Sequence, residues 1–138
     1  MLEVKKINLS YGESHILFDM SVDVKIGKVT TILGRNGVGK TSLLKSIIGL
    51  EQIDSGRINL NKMDITKFSS PERANSGIAY VPQGREIFSL LTVEENLQTG
   101  FSVLKRNDRK ISKYIYDLFP VLSDMKSRRG GDLSGGQQ

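Results

Sequence analysis

The chain has 138 residues, of which 38% are hydrophobic and 25% are charged, a composition typical of a soluble globular domain rather than a disordered or fibrous chain. It contains no cysteine, which excludes a disulfide framework and a thiolate metal site. No apolar run approaches the roughly 18 residues of a membrane helix, and the N-terminus lacks the apolar core of a signal peptide. The sequence therefore predicts a cytosolic protein.

The formal net charge of +5 is concentrated between Lys105 and Arg129, which hold eight basic and three acidic residues. We interpret this stretch as a solvated helical surface, since no aromatic and basic platform accompanies it. Attraction to acidic lipid or nucleic acid is the alternative.

Two strands are predicted near the N-terminus because apolar and polar residues alternate. The first has a phase slip at Lys5-Lys6, which is typical of a β-bulge, and the second runs to a turn at Gly27. The alternating apolar positions are Leu2, Val4, Ile7 and Leu9 in the first strand, and Val22, Val24 and Ile26 in the second.

A strand, a glycine loop and a helix follow in that order. VTTILG, residues 29–34, predicts a buried strand, and helically spaced apolar residues from Leu43 to Ile48 predict a helix that stops at Gly49. Between them GRNGVGKT, residues 34–41, matches G-x-x-x-x-G-K-[ST]. In that motif backbone N–H groups and the helix dipole surround phosphates, Lys40 supplies a positive charge, and Thr41 offers a hydroxyl to Mg²⁺. The sequence therefore predicts a triphosphate site formed by Gly34, Arg35, Asn36, Gly37, Val38, Gly39, Lys40, Thr41 and Ser42.

A second short motif, Asn61-Lys62-Met63-Asp64, fits the guanine-reading N-K-x-D pattern of GTPases. It lies soon after Lys40 and follows the alternating Ile58 and Leu60. A hairpin turn explains it without a base, and we favour that interpretation.

The second half of the chain is predicted to be mainly helical. A strand from Ile78 to Val81 ends at Pro82 and leads to Gln83 in a loop. Thr92-Val93-Glu94-Glu95 has capping-box spacing, and a second helical face, Ile111 to Phe119, ends at Pro120. Residues 92–127 are therefore predicted to be a helical subdomain.

The chain ends in GGDLSGGQQ, which resembles the LSGGQ signature of ATP-binding cassette (ABC) ATPases. Following GRNGVGKT and VPQ in this order, it makes the whole chain similar to that family. Ser134 is predicted to cap a helix, with the N–H groups of Gly135 and Gly136 facing a phosphate.

The resemblance implies a truncated α/β P-loop NTPase core of the ABC type, with an antiparallel β-subdomain and a helical subdomain. The implied divisions are 1–91 for the β-subdomain and P-loop core, 92–127 for the helical subdomain and 133–138 for the signature. The cofactors would be ATP and Mg²⁺, with Lys40 and Gln83 in catalysis, and Thr41 and Gln83 at the metal. Tyr11 would stack on adenine, and Ser134, Gly135, Gly136 and Gln137 would complete the site of a partner chain.

The resemblance also implies partners and a location. They are a second ABC ATPase subunit, as homo- or heterodimer, and transmembrane permease subunits, with no nucleic acid. The chain would lie on the cytoplasmic face of the inner membrane. "YVPQGREIFSLLTVEENL" is similar to ATP-binding subunits of branched-chain amino-acid importers and of their urea and short-chain amide branch. The alternatives are a soluble ABC ATPase of repair or translation and a catalytically dead nucleotide-binding fragment.

The family's Walker B carboxylates and switch histidine follow the signature and are not present, so we expect this chain alone to be inactive. His15 lies among the first strands and is not expected to replace the switch histidine. We also expect the apolar residues of Val29 to Leu33 and of the Leu43 to Ile48 helix to be exposed.

Overall fold

The computed structural model describes residues 1–84 and 86–138. The chain divides into two compact units, Met1–Tyr80 and Val81–Gln138. The first unit contains β1 (Leu2–Tyr11), β2 (Ser14–Val24), α1 (Lys40–Ile48), β3 (Ser55–Leu60), β4 (Met63–Asp64) and α2 (Ser70–Asn75). The second contains α3 (Val93–Thr99), α4 (Lys113–Leu118) and α5 (Pro120–Asp124), with 3₁₀ turns at Gly100–Val103, Arg106–Asp108 and Gly130–Asp132. Within the described ranges, no helix has the length and hydrophobicity needed to cross a bilayer.

The sheet of the first unit is antiparallel, with strand order β2-β1-β3-β4. The predicted irregularity at Lys5-Lys6 is confirmed, since the β1–β2 register shifts between Val4 and Ile7 and Lys6 has a φ of 46°. Gly56 of β3 approaches this bulge closely. A Cβ on Gly56 would overlap the Lys6 carbonyl oxygen, and the φ of Gly56 is 99°, so only glycine fits there.

The core of the first unit forms between this sheet and α1. Its buried residues are Val4, Ile7, Leu9, Leu17, Leu43, Ile47, Ile58 and Ile65. Two of them, Leu43 and Ile47, belong to the helix face that we expected to be exposed, and that expectation is wrong for both. The antiparallel sheet supplies the apolar partners that bury this face, while Leu44 stays 42% exposed.

Two predicted strands, residues 29–33 and 78–81, are not formed, and the prediction of a buried strand at VTTILG is wrong. Val29 and Leu33 are 95% and 85% exposed, as the expectation of exposed apolar residues required. A buried parallel strand obtains its hydrogen bonds from neighbours on both sides. In the described part of the chain neither segment has a paired neighbour, so both are connections without regular secondary structure.

The second unit begins its helices as predicted. The Thr92 amide donates to Glu95 Oε2 at 2.7 Å and the Glu95 amide donates to Thr92 Oγ1 at 3.2 Å, which confirms the capping box of α3. The predicted stop at Pro120 is confirmed in that α4 ends at Leu118, but Pro120 also opens α5. The predicted domain boundaries stay predictions.

Candidate functional site

The loop of residues 34–39 leads into α1, which begins at Lys40. Gly37 and Gly39 have φ values of 83° and 90°, in the left-handed region that favours glycine. A Cβ on Gly39 would lie 2.8 Å from Leu17 Cδ2, so β2 packs directly against the end of the loop. Backbone conformation and close packing both select glycine here, and together they fix where α1 starts.

The N-terminus of α1 is open. The first N–H groups of a helix have no partner within the helix, and Gly39 supplies no side-chain cap. The first turn of α1 also contains no acidic residue, unlike α3 with Glu94 and Glu95. Unsatisfied N–H groups and the positive end of the helix dipole therefore meet at the loop, an arrangement suited to an anion.

Lys40 folds back over the loop that precedes it. Its Nζ donates to the carbonyl oxygen of Gly34 at 2.8 Å and to that of Arg35 at 2.6 Å. The ammonium group is thus held at the start of the loop, while the free N–H groups of α1 lie at the end of the loop. A phosphate group presents the same kind of oxygen acceptor to the ammonium group.

Tyr11 lies beside the loop-bearing helix. It is the last residue of β1, and its hydroxyl donates to Ser42 Oγ at 3.3 Å. Its side chain is 44% exposed, and Thr41 is exposed as well. The structure thus brings Tyr11 together with Ser42 at the end of the predicted phosphate site. The adenine and metal roles of these residues stay predictions.

Gln83 and the signature belong to the second unit. Gln83 is exposed in a turn with Gly84, whose φ is 99°. The Ser134 amide donates to Gln137 Oε1 at 3.0 Å, and the Ser134 carbonyl accepts from the amides of Gln137 and Gln138 at 2.9 and 3.1 Å. Ser134 therefore starts a single helical turn rather than a full helix, with Gly135 and Gly136 exposed. The roles of these residues stay predictions.

The N-K-x-D segment forms the predicted hairpin turn. Asn61 and Lys62 have φ values of 50° and 71° and connect β3 to β4, as in a type I′ turn. Asp64 accepts from the Thr66 amide at 2.9 Å and lies 3.3 Å from Arg57 Nε. Hydrogen bonding to Thr66 lowers the pKa of the Asp64 carboxyl group. The Asp64 carboxylate thus bonds to residues next to its own hairpin, which supports the hairpin interpretation over the guanine one.

Sequence reasoning missed α2 and its residue Arg73. Ser69-Ser70-Pro71-Glu72 has capping-box spacing, and the Ser69 amide donates to Glu72 Oε2 at 2.7 Å. That spacing was the signal that could have predicted the helix. Arg73 is only 4% exposed and donates to the carbonyl oxygens of Ser46 and Ile47 at the end of α1. It therefore caps the opposite end of the helix that carries the phosphate loop.

A glycine loop that opens onto an uncapped helix and carries a lysine and a threonine defines a P-loop nucleotide-binding protein. The family is also defined: the profile of the family described as ABC transporter matches residues 17–138, and the chain belongs to that family. Its fold is that of an ABC-type P-loop core with an antiparallel sheet and a helical part.

Several relatives match the full length of this chain, and two of them are named for branched-chain amino acid transport. It is 42% identical to a probable branched-chain amino acid transport ATP-binding protein, LivF, of Archaeoglobus fulgidus, covering 100% of this chain and 59% of the relative. It is 38% identical to the high-affinity branched-chain amino acid transport ATP-binding protein BraG of Pseudomonas aeruginosa, covering 100% and 60%. The chain thus spans about 60% of the length of these relatives.

Solved structures agree with this fold. The chain is 31% identical to an ATP-binding cassette of an ABC transporter in its ADP conformation, with a TM-score of 0.74, covering 99% of this chain and 60% of that one. A nucleotide-free cassette has 30% identity and a TM-score of 0.78, covering 99% and 60%. A dimeric cassette in a post-hydrolysis state, at 22% identity, has a TM-score of 0.81, covering 99% and 65%.

Proposed function

We propose that the protein containing this chain is the ATP-binding subunit of an ABC importer, which couples ATP binding and hydrolysis to the transport of branched-chain amino acids. The observation that carries the proposal is the loop of residues 34–39, with the open N-terminus of α1 and the Lys40 ammonium group at its two ends. The names of the relatives support import. LivF and BraG are named for branched-chain amino acids, and relatives at 34% identity are named for sulfate/thiosulfate and spermidine/putrescine import.

The residues of the loop fit a nucleotide phosphate chain. The amides at the start of α1 would donate to phosphate oxygens, and Lys40 would exchange two loop carbonyls for charged oxygens. When bound, Mg-ATP would supply the phosphoryl group whose transfer to water drives the cycle. Tyr11 would offer its ring to the base beside Ser42.

For Mg²⁺, the proposal relies on oxygen donors of this chain together with the nucleotide. Among residues 1–84 and 86–138, no cluster of three or more His, Cys, Asp or Glu side chains is placed to hold a metal ion. Mg²⁺ in nucleotide sites is held by few protein oxygens together with phosphates and water. The Thr41 hydroxyl and the Gln83 amide oxygen would be those protein ligands.

The partners follow from the signature. Ser134, Gly135, Gly136 and Gln137 would complete the site of a second ATP-binding subunit, whose own signature would complete the site at Lys40. Gln83 and the helical part would contact permease subunits, on the cytoplasmic face of the inner membrane. The proposal includes no nucleic-acid partner.

Nucleotide binding is the first test. Lys40→Ala should weaken ATP binding by about tenfold to a hundredfold, because a charge-assisted hydrogen bond of about 1.5–3 kcal/mol is lost. Lys45→Ala is the matched control, since Lys45 lies on the same helix and, among the described residues, its ion pair is with Glu51 at 3.9 Å. Titration calorimetry with Mg-ATP would measure both variants. Equal affinity in the two variants would exclude the loop as the ATP site.

Transport is the second test. Membrane vesicles that contain the protein with its permeases should accumulate labelled leucine when ATP is enclosed, and Lys40→Ala should abolish this uptake. Labelled urea is the competing cargo. Uptake of urea without leucine would contradict the amino-acid assignment, and ATPase activity that no permease affects would contradict transport.

A further inference from the structure

Residues 88–91, in the second unit, are held by two parts of the chain. The side chain of Asn96 bonds to them, and so does the backbone at Gly130 and Gly131. These residues follow Gln83 by only a few positions, and Gly130 and Gly131 precede the signature by a few.

Asn96, on α3, uses both ends of its amide group. Its Oδ1 accepts from the Phe88 amide at 2.9 Å. Its Nδ2 lies within hydrogen-bonding distance of three carbonyl oxygens, those of Phe88 at 3.0 Å, Leu91 at 3.2 Å and Thr92 at 2.9 Å. One half-buried side chain thus fixes the path of residues 88–92 onto the first turn of α3.

Backbone hydrogen bonds hold the same residues as well. The Gly130 amide donates to the Leu91 carbonyl at 2.8 Å, and the Gly131 amide donates to the Ser89 carbonyl at 2.9 Å. Gly130 is buried against this segment. A Cβ there would lie 2.9 Å from Ile87 Cδ1, 3.1 Å from the Phe88 oxygen and 3.3 Å from Asn96 Nδ2. The Leu91 carbonyl accepts from both Asn96 Nδ2 and the Gly130 amide, so a shift of Asn96 is transmitted to Gly130 through this shared acceptor.

Gly130 connects in turn to the signature. Gln138 Nε2 donates to the carbonyl oxygens of Gly130 and Leu133 at 3.1 and 3.2 Å. Leu133 is buried, and the Ser134 turn starts at the next residue. The turn that exposes Ser134, Gly135 and Gly136 thus follows residues that are bonded to the 88–91 segment.

From these contacts we propose that Asn96 is a positioning residue, which binds the segment after Gln83 and the base of the signature into one block. Through Gly130 it sets the orientation of the Ser134 turn toward the partner subunit's ATP. This inference rests on the proposed function, in which the signature acts on the partner's site.

The test uses the protein that contains this chain, as dimers of two differently tagged chains, with ATP occlusion as the readout. A reference pair combines Lys40→Ala and Ser134→Arg. In opposite chains both defects fall on the same site and the other site still occludes ATP, whereas in the same chain both sites fail. The reverse pattern, or no occlusion in the unaltered dimer, would refute the proposed function and this inference with it.

The second pair replaces Ser134→Arg by Asn96→Asp. The aspartate keeps the acceptor for the Phe88 amide but turns a carboxylate oxygen toward three carbonyl oxygens. Because a misplacement of about 1 Å can cost on the order of a hundredfold in rate or binding, we expect occlusion to fall at least about tenfold when both changes share a chain. In opposite chains it should be retained. Asn107→Asp, the same change at an exposed residue of the second unit, should retain occlusion in both arrangements.

A merely structural role of Asn96 predicts a different result, since a misfolded chain would impair both sites wherever Lys40→Ala is placed. Equal loss in both arrangements would therefore overturn the inference while the reference pair upholds the proposed function. If Asn96→Asp retained occlusion in both arrangements, as expected for Asn107→Asp, the inference would also be overturned.

Hydrogen exchange gives a readout that does not depend on nucleotide. Asn96→Asp should speed exchange of the Gly130 and Gly131 amides by about tenfold, since these bonds open with the segment they hold, while the amides of α4 keep their rates. Gly130→Ala, which pushes on Ile87 and Phe88, should reproduce both the exchange and the occlusion results. Unchanged exchange at Gly130 and Gly131 would refute the contact path.

Discussion

Replacement of Arg73 by methionine should destabilise the first unit more than any exposed charge change. Its guanidinium group donates to four backbone carbonyls: Ser46 at 2.6 Å, Ile47 at 2.9 Å, Thr66 at 2.8 Å and Phe68 at 3.0 Å. Burial lowers the pKa of Arg73, yet an arginine remains charged near neutral pH. Its charge therefore faces the negative end of the α1 dipole.

The magnitude follows from which carbonyls could regain water. Thr66 and Phe68 are half-buried and can be rehydrated, whereas Ser46 and Ile47 are buried. Leaving buried acceptors without a charged donor costs about 1–3 kcal/mol each, so we expect a loss of about 3 kcal/mol for Arg73→Met. Arg73→Lys should cost about 2 kcal/mol, because a single ammonium group cannot span the four oxygens.

Urea unfolding followed by circular dichroism would measure both variants, with an unchanged m-value required for the comparison. Arg57→Met is the matched control. Its ion pair with Asp64, at 3.3 Å, is exposed and should be worth about 0.5 kcal/mol. If the free energy of unfolding of Arg73→Met fell by no more than that of the Arg57→Met control, water or other donors would be replacing the guanidinium group. The argument from buried carbonyls would then be wrong.

Three further outcomes are expected. Gly56→Ala should cost about 2–4 kcal/mol, because its Cβ would overlap the Lys6 carbonyl at an unfavourable φ; a thermal melt equal to the wild type would exclude the bulge contact. Hydrogen bonds from Thr92 lower the pKa of Glu95. The wild type should therefore have a higher free energy of unfolding than Glu95→Gln, with the full difference above the ordinary glutamate pKa and a smaller one as the pH falls toward the lowered pKa. A difference independent of pH would contradict this. Asp64→Asn should leave the preference for ATP over GTP unchanged in competition binding, and a shift toward either nucleotide would revive the base-reading interpretation.

Elements specified by local chemistry could be predicted from the sequence. The Lys5-Lys6 bulge interrupts an alternation, the Asn61-Lys62 turn uses residues that tolerate positive φ, and Thr92 with Glu95 forms its capping box within one helical turn. The phosphate loop was predictable for the same reason, since its glycines, Lys40 and Thr41 lie within eight consecutive positions.

Elements that depend on distant partners could not be predicted in this way. Residues 29–33 have the composition of a buried strand, but composition does not reveal whether a neighbouring strand is present. Arg73 has the sequence appearance of a surface charge, and only the fold shows that α1 ends against it. Nor does sequence spacing show that Asn96 and Gly130 both donate to the Leu91 carbonyl.

In the proposed function, the contact of Lys40 with its own loop would make nucleotide binding an exchange of hydrogen-bond partners rather than a simple gain of them. The ammonium group already has oxygen partners in Gly34 and Arg35, so an incoming anion gains only the difference between its oxygens and these two carbonyls. A singly charged anion offers little advantage over them, whereas a polyphosphate offers several charged oxygens at once. The two loop carbonyls would therefore compete with weakly charged anions for the Lys40 ammonium group, and only a ligand with several charged oxygens would displace them.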